Sequence, residues 1–284
     1  MYESFYGFKE KPFSLLPDPG FLFPSKRHHM ALTMLQYGLM NHAGITVITG
    51  EVGSGKTTLI RKLLRELDDD ISVGLISNTH ESFGDLLQWV SMAFDLDYKG
   101  KDKVALYDAF VNYVINEYAN SKRTVLIIDE AQNLSASVLE ELRMLSNVNA
   151  DKDQVLQLIL VGQPELRETL RRQDLRQFAQ RVSADYHLTP LRIDEAVGYI
   201  QHRLKVAGGD ENLFEIDACK LIWKYSGGIP RLINTICDTA LVYAYAEQMD
   251  SVSRKLAAEV IVEKQKGGVF PIYGKDMEPK NLSG

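Results

Sequence analysis

The chain has 284 residues, 45% hydrophobic and 25% charged, with a formal net charge of −6 and two cysteines. That balance excludes a global positive field drawing the protein onto nucleic acid or an anionic membrane, and Cys219 and Cys237 are too few and too far apart for a disulfide framework or a cysteine metal site. No window reaches the roughly 18 consecutive apolar residues of a spanning helix, and "MYESFYGFKEKPF" lacks the basic-then-apolar order of a secretory signal, so the expected setting is cytoplasmic, with no membrane span.

Residues 1–25 carry Pro12, Pro17, Pro19 and Pro24 among several aromatics. Proline fixes φ and removes a backbone donor, which predicts an extended strap lying against the body of the protein. Over residues 27–42, "RHHMALTMLQYGLMNH" has helical apolar recurrence. "GITVITG" is then short, β-branched and apolar on both faces, as a buried parallel strand is. Helical "KTTLIRKLLRELD", the strand "ISVGLIS", helical "GDLLQWVSMAF" and "VALYDAFVNYVINEYA", and the strand "TVLIIDEA" follow. Helical "SVLEELRMLSNV" leads to a fourth buried strand, "LQLILVG". The short helical pieces "ELRETLRR" and "DLRQFAQRV" come before a fifth strand in "DYHLTPL". This alternation predicts a doubly wound parallel α/β domain over residues 26–190.

From Arg192 on the pattern is helical only: "IDEAVGYIQHRLKVA", "EIDACKLIWKYS", "PRLINTICDTALVYAYAEQ" and "SRKLAAEVIVEKQ". Gly208-Gly209 and Gly227-Gly228 punctuate these runs, as glycine does at helix ends. A small all-helical domain over 191–265 and a loose tail over 266–284 are expected.

"GEVGSGKT" satisfies the full phosphate-loop pattern between a strand and a helix. Gly50, Gly53 and Gly55 let the backbone turn its N–H groups inward at phosphate oxygens, and the helix beginning at Lys56 adds its positive end. The expected nucleotide-binding set is Gly50, Glu51, Val52, Gly53, Ser54, Gly55, Lys56, Thr57 and Thr58. Lys56 would reach the β- and γ-phosphates of ATP, and Thr57 would sit on Mg²⁺.

In "VLIIDEAQ" an apolar strand delivers Asp129 and Glu130 to its carboxyl end, where ligands of open α/β sheets bind. Asp129 would hold Mg²⁺ through water. Glu130, on the opposite side of the pleat, would polarise the attacking water. Because "ISVGLIS" intervenes in sequence, the acidic strand need not neighbour the loop strand, and "LQLILVG" is a candidate to lie between them. Its tip, Gln163, either orients water near the γ-phosphate or simply ends a strand before Pro164.

These residues resemble the AAA+ ATPases: phosphate loop, acidic pair, polar sensor strand, helical lid. More narrowly, "FYGFKEKPFSLLPDPGFLFPS", "GEVGSGKTT", "IIDEAQNL", "VGQPELR" and "SGGIPRLIN" resemble the ATPase domain of the general secretion pathway protein A (ExeA-like) family, together with similar ATPases of exosortase and exopolysaccharide loci. The resemblance spans about residues 1–265. It implies an ATP-driven homo-oligomer with active sites between subunits, working on a protein partner of a secretion or cell-surface polysaccharide system. Secretion members usually continue into a membrane span and a periplasmic peptidoglycan-binding part, which this sequence does not contain. The same module also resembles transposition ATPases that coat DNA, so a DNA-binding ATPase is the alternative.

AAA+ proteins bring two arginines to the γ-phosphate. For the finger given to a neighbouring subunit, just before the last core strand, the matching position is Arg181, with Arg176 second. For the sensor at a lid-helix start, "GGIPR" supplies Arg231, preceded by Pro230 in a first-turn position. A cation there is disfavoured by the helix dipole unless an anion faces it. Elsewhere, Tyr6, Phe8 and Phe13 are weighed as packing near the adenine edge. His28 and His29 could contact a base, though exposure before a helix is the commoner reading, and Trp89 and Trp223 read as core.

Overall fold

The computed structural model describes residues 1–41, 44–77, 85–150 and 153–267. Its helices are α1 (Tyr2–Phe5), α2 (Lys26–Met40), α3 (Lys56–Glu66), α4 (Leu86–Ala93), α5 (Lys103–Ala119), α6 (Ala136–Leu145), α7 (Pro164–Leu170), α8 (Arg176–Ala179), α9 (Ile193–Val206), α10 (Ile216–Ser226), α11 (Pro230–Ala246) and α12 (Arg254–Gly267). Its strands are β1 (Ile45–Gly50), β2 (Ile71–Ile76), β3 (Arg123–Ile128), β4 (Asn149–Ala150), β5 (Asp153–Gln154), β6 (Leu156–Gly162) and β7 (Val182–Leu188). The expected tail lies outside the described residues beyond Gly267, as does Gly84 at the head of the expected helix "GDLLQWVSMAF".

Five strands form one parallel sheet in the order β2-β3-β6-β1-β7, while β4 and β5 pair as a separate small antiparallel ribbon. β6 thus lies between the loop strand β1 and the acidic strand β3. Every residue of β1 and β6 is buried, and no residue from Val125 to Ile128 has measurable exposure. Such runs cannot tolerate water on either face, which is why they form the middle of a sheet covered by helices. β2 closes one edge and is only partly covered. Thr49 pairs with Gly162 and Ile128 with Leu160, so β1, β3 and β6 end along the same carboxyl edge.

The chain resolves into two compact units. One gathers His29–Gly50 and Lys62–Leu188 around the sheet. Its core joins Ile45 and Val47 of β1 and Leu158 and Leu160 of β6 to Leu106, Phe110 and Val114 of α5 and Leu139 and Leu142 of α6. Trp89 packs partly buried against this core.

The other unit gathers Met1–His28, Glu51–Arg61 and the chain from Thr189 onward. Here the entry segment departs from a plain extended strap: residues 2–5 are helical and Pro19–Phe21 form a 3-10 turn capped by the Asp18 side chain. Tyr2, Phe8, Phe13 and Phe21 are buried in one core with Tyr199, Phe214, Ile233 and Leu241 of the helical region, and Trp223 packs on its margin. Phe8 and Phe13, and Tyr6 at the margin, are therefore packed into the helical core. Arg203, 6% exposed, fixes the strap: its guanidinium donates to the Pro12 and Ser14 carbonyls and to the Tyr199 hydroxyl, and lies over the Phe21 ring. A buried guanidinium needs such a full set of acceptors to offset its lost hydration.

Candidate functional site

The phosphate loop follows Gly50 at the end of β1. Gly53 has φ +79 and Gly55 φ +101, both in the region that side chains rarely occupy. Closeness matters as well: a Cβ on Gly53 would stand 2.4 Å from the Arg231 Cβ, and one on Gly55 3.0 Å from His28 Nε2. Lys56 is buried, with Nζ donating to the Glu51 carbonyl at 3.0 Å. Ser54 Oγ is buried with no hydrogen-bond partner among the described residues. Positive-φ glycines, a sequestered lysine and an unsatisfied buried hydroxyl suit a loop built to take an anion. Thr57 and Thr58 are half-buried in the first turn of α3, and Val52 is exposed at the loop's rim.

Arg231 enters the first turn of α11, after Ile229 and Pro230. Its backbone N–H donates to the Gly53 carbonyl at 3.1 Å, and its side chain is exposed. The turn that delivers it is clasped to Leu191: Leu191 N donates to the Gly228 carbonyl at 2.9 Å, and Trp223 Nε1 donates to the Leu191 carbonyl at 2.9 Å. Gly227 and Gly228 have φ +61 and +73, and a Cβ on Gly228 would stand 2.2 Å from the Leu191 oxygen. So the two glycines of "SGGIPR" stop α10 and let the backbone pass Leu191.

His28 is 6% exposed, in contrast to the exposed position expected for the histidine pair; His29 alone is exposed. The reason lies in α2, where His28, Ala31, Leu35 and Leu39 share one buried stripe at helical spacing. Its Nδ1 faces Ser25 Oγ at 2.8 Å and its Nε2 the Ser54 carbonyl at 3.0 Å. Burial pushes its pKa below the ordinary imidazole value.

At the acidic strand, β3 ends at Ile128 and Asp129 is buried, its backbone N–H on the Ile76 carbonyl at 2.8 Å and its Oδ1 accepting from Glu130 N at 2.9 Å. Glu130 is not on the strand's pleat. It sits at φ 55, ψ 35 and starts the 3-10 turn Ala131–Asn133. A non-glycine residue in that region costs about 1 kcal/mol or more, strain that concentrates at functional sites.

Glu130 Oε2 accepts from Gln132 Nε2 at 2.7 Å and from Gln163 Nε2 at 3.2 Å. Gln163 N in turn donates to Gln132 Oε1 at 3.0 Å. Gln163, immediately after β6, is thereby joined to Glu130 through two amide donors on one carboxylate oxygen. Gln132 was missed in the sequence; the signal was a polar side chain two residues past the acid pair, which one tight turn folds back. Gly162 makes room for it, since a Cβ there would lie 3.2 Å from Gln132 N.

Arg181 directly precedes β7, half-buried, with Nη1 3.5 Å from Ser146 Oγ. Arg176 opens α8 and is exposed.

The parallel sheet with a phosphate loop after β1, an acidic pair after β3 and a following helical region is that of an AAA+ ATPase, and residues 39–170 match the family model described as an AAA domain. Over 247 residues the chain is 44% identical to general secretion pathway protein A of Aeromonas hydrophila, a match covering 87% of this chain and 45% of that protein. The chain thus carries an AAA+ ATPase domain similar to that of this relative, and spans about half the relative's length. In fold it is similar to the ORC2 protein of Aeropyrum pernix, with a TM-score of 0.67 at 18% identity, covering 90% of this chain and 72% of the other. It is also similar to the RuvB Holliday junction branch migration motor of Thermotoga maritima, with a TM-score of 0.53 at 18% identity, covering 86% and 72%. No described helix is long and apolar enough to cross a membrane.

Proposed function

We propose that the chain hydrolyses ATP with Mg²⁺ at sites shared between subunits of a homo-oligomer, and so drives or switches a partner assembly of a secretion or cell-surface polysaccharide system from the cytoplasmic side. Residues 26–190 act as the ATPase core and 191–265 as its lid. The observation that carries this reading is Glu130: a strained carboxylate beside buried Asp129, held by Gln132 and by Gln163 from the neighbouring strand.

Gly50 to Thr58 would cradle the phosphates, with backbone N–H groups and Lys56 countering their charge. Thr57 and Asp129 are hard oxygen donors of the kind Mg²⁺ accepts alongside phosphate oxygens. Once bound, that ion would neutralise charge developing on the phosphates. Glu130 would take a proton from water as its oxygen attacks the γ-phosphorus and the bond to the β-phosphate oxygen breaks, giving ADP and inorganic phosphate. Arg181 of one subunit would steady the charge on the γ-phosphoryl oxygens in the next, and Arg231 would report to the lid whether that group is present.

Mixing inactive Lys56→Ala with inactive Arg181→Ala subunits tests the shared site, because each supplies what the other lacks. Partial recovery of ATPase in the mixture is expected. No recovery at any ratio, with both variants shown to co-assemble, refutes sharing. Retention on DNA that requires ATP and fades with salt would instead favour the DNA-coating ATPase, against which the net charge of −6 counts.

A further inference from the structure

The phosphate loop has a neighbour that its own motif does not mention. His28 lies 26 residues before Ser54, is 6% exposed, and touches the loop at its most constrained point. A carbonyl oxygen can only accept, so the 3.0 Å contact to the Ser54 carbonyl requires a proton on His28 Nε2. The other ring nitrogen settles the tautomer. Ser25 Oγ accepts from the His28 backbone N–H at 3.2 Å and lies 2.8 Å from Nδ1. Burial holds the ring neutral, so with a proton on Nε2 the Nδ1 carries none and the Ser25 hydroxyl donates to it.

The chain Ser25 O–H to Nδ1, Nε2–H to the Ser54 carbonyl fixes the plane of the Ser54–Gly55 peptide. The protein contains no cis peptide bond among the described residues, so that peptide's N–H points opposite to its carbonyl. Holding the Ser54 oxygen against His28 turns the Gly55 N–H away from the ring, toward the side on which a phosphate loop presents its donors. Gly55 itself, at φ +101, leaves no space for a Cβ beside Nε2. Without the histidine this peptide could rotate, and an N–H that rotates is a weaker donor to an anion.

We infer that His28 is a positioning residue for nucleotide binding: its Nε2–H, oriented by Ser25, aims the Gly55 N–H at the nucleotide's phosphates. The inference rests on residues 50–57 being the phosphate cradle. Its test measures ADP affinity with a fluorescent ADP analogue, and melting temperature in parallel, for wild type, His28→Leu, His28→Gln, Ser25→Ala and Lys56→Ala. His28→Leu fills the site without a donor, and ADP should bind about five- to tenfold more weakly, the effect of losing one well-placed hydrogen bond. His28→Gln carries an N–H donor at similar reach and should recover most of that loss, which a merely space-filling role would not produce. Ser25→Ala, which keeps the imidazole and removes its orienting hydroxyl, should fall between.

Wild-type ADP affinity in His28→Leu, or no recovery in His28→Gln, overturns the proposal while Lys56→Ala still binds weakly. Wild-type affinity in Lys56→Ala removes the cradle reading and the proposal with it. If His28→Leu does not fold, the order wild type, His28→Gln, Ser25→Ala decides: both equal to wild type refutes the inference.

Discussion

Gly53→Ala probes the junction between the phosphate loop and the first turn of α11. The added methyl meets two separate costs. At φ +79 a residue with a Cβ loses about 1–2 kcal/mol relative to glycine. The Cβ would also lie 2.4 Å from the Arg231 Cβ and 3.1 Å from its Cδ. Neither Cβ can swing aside, because each is fixed by its backbone. Loop and helix must therefore part, and the Arg231 N–H to Gly53 carbonyl bond, 3.1 Å, is given up for about another 1 kcal/mol. The total is about 2–3 kcal/mol, or roughly 5–10 °C in the melting of a unit this size. Gly7→Ala is the internal control, since Gly7 has φ +72 in the same unit and its added methyl would meet nothing within 4 Å. It should incur the first cost alone. Calorimetric melting of the two variants beside wild type isolates the close approach, and ATP turnover should fall only in Gly53→Ala. If both variants melt within a degree of each other, the packing of Gly53 on Arg231 does not constrain the loop.

Glu130→Gln should lower turnover by about 100-fold or more while nucleotide still binds, as fluorescence titration beside steady-state ATPase will show; near wild-type turnover would remove Glu130 as the base. Gln132→Ala should cut kcat about tenfold with KM unchanged, and Gln163→Ala added to it should cost less than Gln163→Ala alone, because both amides serve one carboxylate oxygen; full additivity in that cycle would refute the coupling. Arg203→Met should destabilise the helical unit by about 2–4 kcal/mol in urea titration, because the Pro12 carbonyl and the Tyr199 hydroxyl lose the guanidinium and the Ser14 carbonyl keeps only Asn234; an unchanged midpoint would show that the strap does not depend on it. Burial pushes the Cys219 thiol up to about 12 and raises Cys237 as well. Both thiols keep their protons in the fold at pH values where the unfolded chain has lost them, so this stability is complete below about pH 9 and declines as pH climbs toward 12. Urea midpoints should drop between pH 8 and pH 10, and Cys219→Ala should lessen the drop; equal midpoints in wild type would contradict it.

The sheet was legible because β1, β3 and β6 are short, mainly apolar runs that only a covered strand can use, and the extra strand between loop and acids made β6 a candidate for the place it takes. The loop was legible because its glycines answer a backbone demand that spacing displays. Glu130 was read one step short: its position on the strand's pleat assumed that β3 continued past Ile128, whereas Asp129 already leaves the ladder and Glu130 turns left-handed. Gln132 and His28 escaped for a different reason. Their partners are fixed by a tight turn and by a contact across 26 residues, and neither leaves a periodic trace. His28 did have one clue, its place on the stripe with Ala31, Leu35 and Leu39. The aromatics of the strap were legible as buried, but their host core lay far down the chain, beyond what local pattern can specify.

That last arrangement sets an order of events at the ribosome. Tyr2, Phe8, Phe13 and Phe21 leave the exit tunnel well before the side chains they join, from Tyr199 to Leu241, have been synthesised. At about 5–20 residues per second, the strap waits on the order of ten seconds or more with its rings exposed. The segment from His29 to Leu188 contains its own complete sheet and can condense in the meantime. Closing so long a loop adds little to the final free energy, since the entropy grows only with the logarithm of loop length, but it slows the last step. A nascent chain of this design therefore exposes a greasy strap, a natural handle for a chaperone, and hides it only once the helical region it packs into has been made.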